Sequence, residues 1–335
     1  MSIGAIDLER RFRIATGSYR GQRGIRLIDE ASGASALILP EFGANCVAFS
    51  VQRDQQQLDI LYPPELTKLS VSGTGGGVPV LCPFPNRVRE ARFAFRGREI
   101  QLHANRAGNA IHGLVHTRGW KVLDQCVDGD GAAVTCSFDS TAHAAVSAVW
   151  PWPFEATITY RLRGERLDIE ATVTNKSDEV MPLGFGTHPY FVIGNRKQCE
   201  IEIPAAARWE TEGDEPLPTG RILDLPPELD FRTLRPLGDV VLDDVFTAVR
   251  FDDDGSACRL FDHARGIALT CGADRQFREW VIYAPRDGSF VCFEPYTCPT
   301  DAFNLAARGI DAGVIELQPG QRFVGKMWFE VEAIA

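Results

Sequence analysis

Ala156-Thr157-Ile158-Thr159-Tyr160-Arg161-Leu162-Arg163-Gly164-Glu165-Arg166-Leu167-Asp168-Ile169-Glu170-Ala171-Thr172-Val173 decides the architecture. Apolar side chains stand at 156, 158, 160 and 162 with polar ones between them, and the alternation resumes at 167, 169, 171 and 173. A period of two sends every second side chain to one face of an extended strand. The stretch therefore predicts a β-hairpin that turns at Gly164 and buries one face. Phe93 and Phe95, then Gly97, then Ile100 and Leu102 repeat the design. Arg259 to Thr270 predicts another pair turning near His263 to Gly266, and Phe323, Gly325, Met327, Phe329 and Val331 predict a last strand.

Helical periodicity is scarce; one short helix is expected over Asn304 to Ala307. The 31 glycines and 20 prolines punctuate many short strands, and no alternation of strands with helices suggests a parallel sheet. The fold class predicted is all-β, a large antiparallel β-sandwich. One domain is expected over residues 1–335, with Arg208 to Pro236, rich in Pro, Glu and Asp, as a long surface excursion.

The chain is 44% hydrophobic and 24% charged, with a formal net charge of −10. That balance supports a sizeable core and supplies no basic stripe for nucleic acid. No apolar run is long enough to span a bilayer, and the charges at Asp7, Glu9, Arg10, Arg11 and Arg13 do not suit a secretory leader. Nine cysteines, an odd number with no Cys-x-x-Cys pair, fit a reducing, cytoplasmic compartment.

Four segments could carry chemistry. Gly75-Gly76-Gly77 leads through Val78-Pro79-Val80-Leu81-Cys82-Pro83-Phe84-Pro85-Asn86 to Arg87. It lacks the Gly-Lys-Ser/Thr of a phosphate loop, and its prolines oppose a helix start. What remains is a stiff loop delivering Arg87, either as a surface charge or as a ligand. Ile111-His112-Gly113-Leu114-Val115-His116 spaces two histidines four apart, but its glycine opposes the helix that a metal pair would need. Gly184-Phe185-Gly186-Thr187-His188-Pro189-Tyr190-Phe191 places His188 among aromatics, as a core residue or as a tuned acid or base. Val291-Cys292-Phe293-Glu294-Pro295-Tyr296-Thr297 puts Glu294 in an apolar run, where an acid is a structural ion pair or a catalytic carboxylate. Asp243 and Asp244 raise the same question, and Asp252 to Asp254 read as a solvated turn. Taken together, the set can move protons on a polyhydroxylated ligand, with no cofactor motif and no activated Ser or Cys.

In order and spacing these motifs resemble the aldose 1-epimerase (galactose mutarotase-like) superfamily. Pro83-Phe84-Pro85-Asn86-Arg87, Ile111-His112-Gly113 with Trp120, Thr187-His188-Pro189-Tyr190-Phe191, and Phe293-Glu294-Pro295 with Asp301-Ala302-Phe303-Asn304 carry the resemblance. It implies the galactose mutarotase-like supersandwich and a cofactor-independent isomerase, with no metal, that interconverts the α and β anomers of an aldose. It implies Glu294 and His188 as the catalytic pair, and Arg87, His112 and Asp243, or its neighbour Asp244, as sugar ligands. A small-molecule sugar is then the partner, with neither nucleic acid nor membrane. The short His112 to Trp120 spacing is closer to divergent branches that include hexose-6-phosphate epimerases. Those relatives carry His-Gly-Phe-Ala-Arg, where this chain has His116 in place of the arginine. A free aldose is therefore the expected substrate. A sugar phosphate, or a sugar bound without chemistry, is the alternative.

Overall fold

The computed structural model describes residues 11–286 and 288–334, so the start of the segment read above for a leader lies outside the described residues. Two large antiparallel sheets form the body. One has nine strands in the order Lys121–Asp128, Gly131–Asp139, Phe154–Arg163, Arg166–Asn175, Arg322–Ala333, Ile267–Ala273, Ser256–Asp262, Cys199–Glu202 and Arg235–Pro236. The expected hairpin forms its third and fourth strands: Leu162 pairs with Leu167 across Gly164, and alternate residues of Phe154–Arg163 are buried. Both other expected hairpins and the last strand also form.

The second sheet runs Leu217–Asp224, Ala205–Glu212, Leu242–Val249, Glu279–Ala284, Phe290–Tyr296, Gly186–Thr187 and Val80–Leu81, with Tyr190–Val192 paired to one side of Phe290–Tyr296. The sheets meet through aromatic side chains. Phe191 packs edge-on to Phe329 with ring centroids 5.0 Å apart, and Phe185 lies 5.5 Å from Phe323. Such pairs add about 0.5–1.5 kcal/mol each beyond the area they bury. A five-stranded sheet over Phe12–Asp59 joins the same apolar core through Leu27, Ile38 and Phe49.

Helices among the described residues are short: Leu66–Val71, Ala144–Ser147 and Ala302–Ala307, the last containing the expected turn. None is long and apolar enough to cross a membrane.

The segment Arg208 to Pro236 departs from its reading as a surface excursion. It begins inside the strand Ala205–Glu212, which pairs with Leu217–Asp224 as a hairpin on the second sheet. Proline and acidic residues disguised the alternation. Pro218 is tolerated because Leu217–Asp224 is an edge strand, and a register shift between Trp209 and Thr211 breaks the period.

Candidate active site

The second sheet brings the four motifs to one place. Asp243 on Leu242–Val249 pairs with Tyr283 on Glu279–Ala284, which pairs with Cys292 on Phe290–Tyr296. Glu294 lies two residues further along the same strand, on the same face. The strand Gly186–Thr187 inserts between Phe290–Tyr296 and Val80–Leu81, and His188 follows it, its backbone N–H bonded to the Pro79 carbonyl at 3.0 Å.

The glycine-rich segment is held as a support. The Asn45 side chain accepts from the Val78 N–H at 2.6 Å and donates to the Gly76 carbonyl at 3.3 Å. The Arg87 and His112 segments are zipped together: Arg87 pairs with Ile111, and the His112 N–H donates to the Asn86 carbonyl at 2.9 Å. Gly113 makes this approach possible. Its φ is 75°, and a Cβ there would stand 2.3 Å from the Cys82 carbonyl oxygen. Asp301 and Asn304 have a structural task. Asp301 donates its N–H to the Arg87 carbonyl at 2.8 Å and accepts from the Arg89 N–H and the Asn304 amide.

The result is a cavity of about 370 Å³ lined by Arg87, Arg106, His112, His188, Asp243 and Glu294, with Asn86, Tyr190, Val281 and Tyr283 among the other walls. That is at the small end of ligand sites and suits a compact polar molecule. Arg87, His112, His188, Asp243 and Glu294 all line it. Asp244 does not: it points to the other face, as adjacent strand residues must, and pairs with Arg208 at 3.4 Å. His116 is buried behind His112, with ring centroids 6.4 Å apart, and does not line the cavity.

His188 Nε2 lies 3.5 Å from Oε1 of Glu294. Both are nearly enclosed, at 7% and 2% exposure. Burial drives both towards neutrality. It lowers His188 to about 3, and it holds the Glu294 carboxyl well above the usual range against a hydrogen bond from Tyr296. Burial, then the neighbouring His188 and His116, likewise keeps His112 neutral.

Two tyrosines complete the pair's surroundings. Tyr296 donates its hydroxyl to Glu294 Oε2 at 2.5 Å. Tyr190 stacks on His188 with centroids 4.4 Å apart, its hydroxyl 3.2 Å from Nε2. Sequence reasoning did not single out either, although each sits two residues from a named residue, where strand periodicity puts it on the same face. Arg106, Tyr283 and Glu215, which bonds Arg87 and Arg106, carry no local signal at all.

His188, Cys292 and Glu294 present donor atoms within 4.8 Å of one another. The Cys292 thiol is pushed well up by burial and by the Glu294 charge, which disfavours the thiolate a metal would bind. His112 sits at φ 65° in a turn, not on the helix that an i, i+4 pair with His116 needs.

The fold is that of the galactose mutarotase-like proteins. A galactose mutarotase-like protein of Clostridium acetobutylicum superposes with a TM-score of 0.85 over 97% of this chain and all of that one, at 22% identity. Galactose 1-epimerase of Lactobacillus acidophilus superposes with a TM-score of 0.75 over 97% of this chain and 99% of its own, at 17% identity. The chain belongs to the aldose 1-epimerase family, whose sequence pattern matches residues 26–330. Among curated relatives, the uncharacterized Escherichia coli protein YphB is 26% identical over 259 residues, covering 75% of this chain and 82% of YphB.

Proposed function

We propose that the protein is a mutarotase that interconverts the anomers of an aldose by acid/base ring opening. The observation that carries this reading is the His188–Glu294 contact of 3.5 Å at a cavity ringed by sugar-binding side-chain types. Glu294 takes the proton of the anomeric hydroxyl. The bond from C1 to the ring oxygen breaks, its electron pair goes to the ring oxygen, and His188 supplies the proton there. The anomeric oxygen becomes the aldehyde, rotation about C1–C2 presents its other face, and the same transfers run backwards.

The chemistry predicts acid and base on opposite sides of the C1–O5 unit, about a sugar ring apart, whereas His188 and Glu294 stand in contact at 3.5 Å; the two oxygens involved are bonded to the same carbon, so a pair in mutual contact can serve both. The bookkeeping of protons closes. The pair holds one proton, on His188 before opening and on Glu294 after it, and both arrangements are states of one coupled titration. Burial favours the neutral arrangement, which the Tyr296 hydroxyl counterbalances by stabilising the carboxylate. Arg87, His112 and Asp243 hold the sugar oxygens, and the fixed orientation removes part of the entropic barrier.

Polarimetry on freshly dissolved aldoses tests the reading. Catalysed approach to the anomeric equilibrium is expected. Relaxation at the buffer rate for a panel of hexoses and pentoses overturns it.

A further inference from the structure

The tip of the hairpin formed by Ala205–Glu212 and Leu217–Asp224 returns to the cavity through one side chain. Glu215 accepts from Arg87 Nε at 2.8 Å through Oε2, and from Arg106 Nε at 3.1 Å through Oε1. One carboxylate thus bridges the two arginines that line the site. Arg87 is held a second way, donating Nη1 to the Asn86 side chain at 3.0 Å. The Arg87–Glu215 contact is partly shielded, with side chains 10% and 24% exposed, so solvent weakens it less than an open surface pair.

The charge pattern of the cavity follows. Two guanidinium groups face two carboxylates, Glu215 and Asp243. Burial keeps His112 neutral, and the His188–Glu294 pair, holding one proton between them, adds no net charge in either arrangement. Glu215 itself stays ionised: burial opposes this, but the hydrogen bond from Arg87 and the charges of Arg87 and Arg106 outweigh it and hold its carboxyl below the usual range. An uncharged polyol entering such a site meets donors and acceptors without a net field. A phosphate or carboxylate substituent must be desolvated against arginines whose charge is already matched, beside a carboxylate that repels it.

We propose that Glu215 is a specificity-determining residue, which neutralises Arg87 and Arg106 from outside the cavity and so sets the site's preference for uncharged over anionic sugars. The proposal rests on reading this cavity as the sugar site. It makes the hairpin tip, rather than the motifs around the reacting carbon, the element that selects substrate charge. The geometry also assigns the two arginines unequal parts. Arg87 is anchored by Asn86 and Glu215 together, whereas the Arg106 side chain is 59% exposed and, among the described residues, held by Glu215 alone.

The test compares glucose with glucose 6-phosphate at fixed ionic strength, by kcat/KM for anomer exchange and, in parallel, by ligand-observed NMR titration. The native protein is expected to favour glucose. Glu215→Gln keeps the shape and removes the charge, and should move the preference at least tenfold towards the phosphate. Arg106→Gln leaves one arginine facing the carboxylates and should move it the other way, which guards against a Glu215 variant that folds poorly. Preferences unchanged in both variants, by turnover and by titration, overturn the proposal. Shifted binding preferences in a native protein that exchanges no anomers would support the role of Glu215 and overturn the mutarotase reading instead.

Discussion

Nε2 of His188 and Oε1 of Glu294 lie 3.5 Å apart, although 106 residues of chain separate the two positions and neither ring nor carboxyl is more than slightly exposed. Two ionisable groups so buried and so close are expected to titrate as one unit, and their variants should behave as a unit too.

Glu294→Gln is nearly isosteric and removes the base, so anomer exchange should fall about 10²–10⁴-fold, the usual worth of general acid/base catalysis. His188→Asn should lose a similar factor while still binding sugar. Polarimetry gives the rates and circular dichroism checks the fold. A rate within a few-fold of native in a folded Glu294→Gln protein is incompatible with the proposed mechanism.

Tyr296→Phe removes the hydrogen bond to Glu294 Oε2 and leaves the ring to fill its place. That bond favours the carboxylate, so its loss raises the Glu294 carboxyl further. The acid limb of the kcat profile should move to higher pH, and kcat at neutral pH should drop roughly 10–100-fold, as expected for a bond to a charged acceptor worth about 1.5–3 kcal/mol, while KM changes little. An unshifted pH profile would restrict Tyr296 to packing.

Glu279 offers a test of the fold's electrostatics apart from catalysis. It is 2% exposed, accepts from Trp209 Nε1 at 3.2 Å, and is pushed up to about 8 by burial, against hydrogen bonds from Thr247 and Trp209. The folded pKa lies above the ordinary 4.5. Between about 4.5 and about 8 the folded chain therefore keeps a proton that the unfolded chain releases, and this group's contribution to stability declines as pH rises, on the order of 1 kcal/mol per pH unit. Glu279→Gln imitates the protonated form. The melting temperature of the variant relative to the native protein should climb steadily from pH 5 to pH 8. A difference that stays flat with pH would show that Glu279 is ionised in the fold.

Chelation addresses the cluster of His188, Cys292 and Glu294. The protonated Cys292 thiol is a poor ligand, so prolonged EDTA treatment should leave the rate of anomer exchange unchanged. Loss of activity restored by a divalent ion would assign that cluster a metal.

The strand content and its pairing were legible because alternation is a local property: each residue of Ala156–Val173 declares its face by its own polarity. The short motifs were legible for a related reason. Gly113 next to His112, and Pro189 next to His188, restrict backbone shape within a few positions, and the resemblance to a known family gave each motif a role. The hairpin at Arg208 to Pro236 was not legible, because an edge strand needs neither strict alternation nor freedom from proline.

What only the tertiary structure decided is which polar groups meet. Glu215 lies 128 residues from Arg87, and nothing near it in the chain distinguishes it from any exposed glutamate. Asp243 is separated from Asp244 by the pleat that turns one to the cavity and the other to Arg208. His116 is set behind His112 by the turn at Gly113. Local sequence determines the conformation of each segment, because backbone preferences act over a few residues. The charge and acidity of a site depend on desolvation and on partners brought from far along the chain, and those exist only once the sheets have closed on one another.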